Sequence, residues 1–200
     1  MLINDLAREI HANAVAHGWW DEPRDIYEID ALIHSEWSEA LEEARAGMPM
    51  VYAFADGKDV FAARRIIEDL DVIADEGLKP EGIAVELIDG CIRILDFMGE
   101  CDAQVTGGYT DIEELWETMA EADIKDIKSV RIGLLISMLH KMSSECVPDE
   151  ADCEYRFISA ISVIRLALGW IYARGLDPMA LLMLKHNYNK TRPYKHGKKF

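Results

Sequence analysis

The chain has 200 residues, enough for one domain or two small fused ones, and half of them are hydrophobic, so a sizeable core can be buried. A formal net charge of −16 argues against binding duplex nucleic acid. No apolar run is long enough to cross a bilayer, and Met1-Leu-Ile-Asn-Asp-Leu-Ala-Arg carries no signal-peptide pattern, so the expectation is a cytoplasmic protein without a membrane partner.

In chain order, residues 4–16 place Leu6, Ile10 and Ala14 at helical spacing, which predicts a first helix. A loop with Gly18, Trp19, Trp20 and Pro23 follows. A second helix is expected from Ile26 to Arg45, stopped by Gly47 and Pro49. Val51 to Phe54 is the one strand candidate. Val60 to Ala74 spaces Phe61, Ile66, Leu70 and Ile73 to share a helix face. Lys79-Pro80-Glu81-Gly82 breaks the chain before a strong helix from Ile83 to Met98. Thr110 and Glu113 have capping-box spacing for a helix to about Glu121. Lys128 to Ser144 reads as one amphipathic helix, ended by Val147-Pro148. Ala151 to Ala173 is a long, very apolar helix capped by Gly175, and Asp177-Pro178 starts a last one to about Tyr188. The pattern is all-α, a helical bundle.

Cys91, Cys101, Cys146 and Cys153 form no CxxC pair and have no accompanying His pattern, so reduced thiols are expected rather than zinc. The charge is unevenly spread. Lys185, Lys190, Arg192, Lys195, Lys198 and Lys199 fall in a segment without a single acid, whereas all 37 acidic residues precede it. Such a segment can meet a phosphate ligand or serve as a solubilising tail.

Two acidic pairs stand out. Glu36 and Glu39 are three apart on the second helix, and Glu86 and Asp89 are three apart on the Ile83 helix. The first pair alone reads as solvated surface, and only for the second does a surface reading weigh evenly against a buried one. The second sits among Val85, Leu87, Ile88, Ile92 and Leu95, and a carboxylate in an apolar helix needs a cation. Arg93, the only cation within that helix, falls on a different face from Glu86. Clustered carboxylates with all-oxygen ligation select Mg²⁺ or Mn²⁺.

Glu36-x-x-Glu39 followed by Glu86-x-x-Asp89 resembles the metal-binding signature of the MazG-like nucleotide pyrophosphohydrolases, an all-α superfamily that includes the dimeric dUTPases and dCTP pyrophosphatases. The flanking segment Ala31-Leu-Ile-His-Ser-Glu-Trp-Ser-Glu-Ala and the basic Lys185-His-Asn-Tyr-Asn-Lys-Thr-Arg-Pro-Tyr-Lys-His agree. The resemblance covers residues 1–47, 79–100 and 175–199. It implies Mg²⁺ (or Mn²⁺) on Glu36, Glu39, Glu86 and Asp89, with Glu39 and Glu36 catalytic. It implies phosphate contacts from Lys185, Asn189, Arg192 and Tyr194, and a base subsite at His11, Asn13, Trp19 and Trp20, although the two tryptophans also suit core or interface positions. The implied reaction is hydrolysis of a (deoxy)nucleoside triphosphate to monophosphate and pyrophosphate, a house-cleaning of the nucleotide pool. A nucleotide binder without turnover is the alternative, because Ser35 stands where the family often has Glu. A purely structural helical module, its acids merely surface, is a further one.

The whole chain reads as one domain. Residues 1–106 are expected to form a metal-binding half, 107–174 either a degenerate helical repeat or a second amphipathic hairpin alike by coincidence, and 175–200 a basic phosphate-binding segment. In the repeat, Met138, Lys141, Ile158 and Ile161 replace the four acids, and apolar residues there are expected to fill the core. One chain would then mimic the two-subunit bundle of smaller relatives, with further homodimerisation left open.

Overall fold

The computed structural model describes residues 1–55, 65–101, 111–119, 121–146 and 153–197. It is all-α apart from one small hairpin. Helix α1 (Ile3–Ala16) buries Ile3, Leu6, Ala7, Ile10 and Ala14 along one stripe. Helix α2 (Ile26–Ala46) starts at Asp25, whose side chain accepts the Tyr27 backbone N–H, and stops at Gly47 in the left-handed conformation, φ 70°. Strands β1 (Ala53–Ala55) and β2 (Arg65–Ile67) pair antiparallel, with Ala53 opposite Ile67. Helix α3 (Leu70–Asp75) is capped by Asp69, and α4 (Ile83–Glu100) by Gly82. Helices α5 (Glu114–Glu117), α6 (Glu121–Ser129), α7 (Ile132–Ser143), α8 (Cys153–Tyr172) and α9 (Pro178–Lys190) follow, and a 3-10 turn (Tyr194–Gly197) comes last.

Helices α2, α4, α7 and α8 form a four-membered ring of packed neighbours, α2 on α4 and α7, α8 on α4 and α7. Helix α1 lies on α4, and α9 packs on α4 and α8. Helix α4 is therefore central, and ten of its residues are buried, Glu86 among them. No helix among the described residues is long and apolar enough to cross a membrane. Cys91 and Cys146 are buried in this core, and burial pushes both thiols up, Cys146 to about 12. Thiols of this kind are inert.

Three expected elements differ. Of the helix expected over Val60 to Ala74 only Leu70–Ala74 is helical where described: Arg65–Ile67 pair with β1, and helix starts after the Asp69 cap, residues 56–64 lying outside the described residues. Thr110 also lies outside it. Glu113 itself occupies the N-cap position of α5 and makes no side-chain cap bond. The single helix from Lys128 to Ser144 is two, broken at Val130-Arg131. The Val130 carbonyl, released from the helix, accepts Trp170 Nε1 at 2.9 Å and Arg174 Nη2 at 3.0 Å, so a tertiary contact holds the break open. Among the positions that replace the acids in the expected repeat, Ile161 is buried, but Met138 and Ile158 are 37% and 57% exposed and Lys141 is exposed, so these three do not fill the core.

Gly90 on α4 faces Trp37 on α2. A Cβ at Gly90 would lie 2.2 Å from the indole, and Trp37 is fully buried with Nε1 donating to Ser143 Oγ at 2.9 Å. Alanine in an exposed helix stabilises by about 1 kcal/mol over glycine. Here the overlap should reverse the sign and cost about 2–3 kcal/mol. Gly90→Ala should lower the urea midpoint of unfolding, and a raised midpoint would show that Trp37 can yield.

Candidate metal centre and cleft

Adjacent packing of α2 and α4 brings Glu36, Glu86 and Asp89 together, with one oxygen from each lying within 4.8 Å of the others. Glu36 is 6% and Glu86 8% exposed. Carboxylates this buried need counter-charge. Arg93 Nε donates to Glu36 Oε1 at 2.9 Å. Lys185, 3% exposed on α9, places Nζ 2.7 Å from Asp89 Oδ2 and donates a longer bond to the Pro80 carbonyl at 3.5 Å. The cations are therefore not limited to Arg93. That residue, expected on another face from Glu86, serves Glu36 across the helix pair, and a second cation arrives from α9.

Glu86 has no ion-pair partner among the described residues. Burial, with Asp89 adding, pushes its pKa up to about 8 against the opposing pull of Lys185. Burial also raises that of Glu36, with Arg93 opposing. Lys185 moves the other way from what burial alone would cause: Asp89 and Glu86 raise its pKa and hold it charged. Glu39, one turn beyond Glu36, is exposed and lies outside the triad, though its charge reaches both Glu36 and Glu86. Two cations face four carboxylates, so the site is short of positive charge, and a divalent ion would take the place of the proton that burial keeps on Glu86. The donors are all oxygens and one carboxylate lacks a counter-charge, so the residues fit a hard divalent cation such as Mg²⁺ or Mn²⁺.

The triad opens into a cleft of about 240 Å³. Glu39, Lys185, Asn189 and Arg192 line it, as do Asn13 and Trp19. Lys185 and Asn189 are four apart on α9, so the basic segment begins as a packed helix rather than a loose tail. Asn189 Oδ1 is buried with no hydrogen-bond partner among the described residues.

Three expected residues stand apart. Tyr194 is 60% exposed and its hydroxyl donates to Asp21. His11 and Trp20 do not line the cleft but brace Asp96 behind it, His11 Nδ1 at 2.9 Å and Trp20 Nε1 at 3.0 Å. The hydrogen bond to Asp96 raises the His11 pKa.

Lys79, Asp96 and His186 line the cleft and were not singled out from the sequence, and Arg93, weighed there only as a counter-charge for Glu86, lines it too. Asp96 could have been: it continues the face of Glu86 and Asp89 two turns on. Arg93 and His186 carried no such signal, since their roles depend on partners in other helices. Buried His186 lies 3.2 Å from Glu9 of α1, which Lys190 also reaches at 2.7 Å.

No protein-family model, curated protein or solved structure matches this chain.

Proposed function

We propose that this chain is a metal-dependent nucleoside triphosphate pyrophosphohydrolase of the MazG-like, all-α kind. It cleaves between the α and β phosphates and releases a nucleoside monophosphate and pyrophosphate. The observation that carries this reading is the convergence of Glu36, Glu86 and Asp89, short of counter-charge, in one cleft with Arg192, Lys79 and Asn189. An acidic triad beside cationic donors suits an ion shared with polyphosphate.

A divalent ion held by Glu36, Glu86 and Asp89 would offset phosphate charge and lower the pKa of a water. Lys185 and Arg93 hold Asp89 and Glu36 in position. Glu39, exposed at the cleft and outside the triad, accepts the proton of the attacking water. Arg192 and Lys79 stabilise charge building on the departing pyrophosphate. Trp19 and Asn13 contact the base. The pairing of α2 with α4, and of α7 with α8 beside it, supports the reading of a pseudo-dimer in one chain. Turnover in the cytoplasm would clear unwanted nucleotides from the pool.

Pyrophosphate release from a panel of (deoxy)nucleoside triphosphates with Mg²⁺ tests this. Glu39→Gln should lower kcat by about 10²-fold or more. Its melting temperature should stay at the wild-type value, because Glu39 is exposed. Unchanged turnover would remove Glu39 from the chemistry. One observation favours a second reading, a nucleotide binder without turnover: Ser35 Oγ donates to the Leu32 carbonyl at 2.8 Å, so the position before the first carboxylate adds nothing to the site. Thermal stabilisation by nucleotide without product would support that reading.

A further inference from the structure

Asp96 has no part in the chemistry above, yet it lines the same cleft. It lies seven residues beyond Asp89 on α4, on the same face and about 10 Å further along the axis. A nucleotide with its phosphates at the triad could extend its sugar and base over that span. The Asp96 side chain is only 14% exposed and is fixed from behind by His11 Nδ1 at 2.9 Å and Trp20 Nε1 at 3.0 Å. The His11 and Trp20 rings meet edge-on with centroids 5.1 Å apart, so the brace is itself packed. Indole N–H is a donor only, and both Asp96 oxygens lie within reach of it. Two donors fill part of a carboxylate that accepts about four hydrogen bonds. What the cleft meets at this point is a rigid acceptor with capacity left.

We infer that Asp96 selects nucleotides whose base carries an exocyclic amine, that is adenine, cytosine or guanine, over uracil and thymine. The inference rests on the pyrophosphohydrolase reading above. An exocyclic amine projects from the base edge and donates to a carboxylate, as cytosine N4 does to Asp or Glu in nucleic-acid recognition. Uracil and thymine flank their single N–H with two carbonyl oxygens, and these would face the carboxylate as acceptor against acceptor. A partly buried acceptor left unpaired, or opposed by another, discriminates strongly.

The test is kcat/KM for pyrophosphate release from dATP, dGTP, dCTP, dTTP and dUTP with Mg²⁺, for the wild type and Asp96→Asn. The best wild-type substrate should be an amine-bearing nucleotide, with dTTP and dUTP lower by about tenfold or more. Asparagine keeps the size and can present an NH₂ to a carbonyl, so the variant should close that gap. Equal wild-type turnover of dTTP or dUTP and the best amine-bearing nucleotide would overturn the inference and leave the hydrolase standing. An unchanged gap in folded Asp96→Asn would do the same. If Asp96→Asn does not fold, the wild-type panel decides alone. If no nucleotide is hydrolysed, the hydrolase reading fails separately, and thermal stabilisation by the same five nucleotides with Mn²⁺ decides the selection: a larger shift with amine-bearing bases upholds it, and equal or absent shifts overturn it.

Discussion

Glu86→Gln should melt higher than the wild type in EDTA and release no pyrophosphate in Mg²⁺. The two effects share one cause. Glu86 is buried beside Asp89 without a cation of its own, and its pKa is pushed from 4.5 up to about 8. The folded protein therefore holds a proton that the unfolded chain gives up between those two values. Metal-free stability should fall as pH rises from about 4.5 to about 8 and level off above, with an upper bound on the order of 5 kcal/mol for this group. Glutamine removes the ionisation and flattens that part of the profile. At pH 8 the variant should melt roughly 5–10 °C above the wild type without metal. Saturating Mg²⁺ or Mn²⁺ should raise only the wild type, because the ion replaces the proton. Differential scanning fluorimetry across pH, with EDTA and with metal, reads all of this. A variant that melts lower than the wild type at pH 8 in EDTA would show that Glu86 is not strained by its neighbours.

Lys185→Met should have the opposite effect on the metal-free protein. Lys185 is 3% exposed and its Nζ sits 2.7 Å from Asp89. Methionine fills similar space but leaves Asp89 with no cation and the site with one more uncompensated charge. Removing one partner of a buried pair costs about 3–5 kcal/mol. A chain of this size should lose roughly 10 °C or more in melting temperature. The gain on adding Mg²⁺ should exceed that of the wild type, because the ion then offsets a larger negative excess. Equal melting temperatures in EDTA would mean that Asp89 finds another partner when Lys185 is gone.

The sequence exposed those parts of the molecule whose causes are local. Helix α2 was legible because Asp25, Gly47 and the apolar stripe agree within one segment, and α9 because Asp177-Pro178 is a strong start. Glu86 and Asp89 were conspicuous because acids interrupt an apolar run. What escaped depends on distant partners. The break at Val130 is held by Trp170 and Arg174, some 40 residues away. Arg65–Ile67 have helical spacing in sequence but find a strand partner at Ala53–Ala55. Lys185 looked like the start of a cationic tail. Only the docking of α9 on α4 makes it the buried counter-charge of Asp89.

That docking also fixes when the site can exist during synthesis. Asp89 and Lys185 are far apart in the chain, and the bond from Lys190 to Glu9 spans 181 positions. A ribosome adds roughly 5–20 residues per second. The acidic pair on α4 is thus translated well before its lysine. Until α9 is made, Asp89 lacks the lysine that faces it in the folded chain. A nascent chain arrested before α9 would hold the acids without Lys185, Asn189 or Arg192.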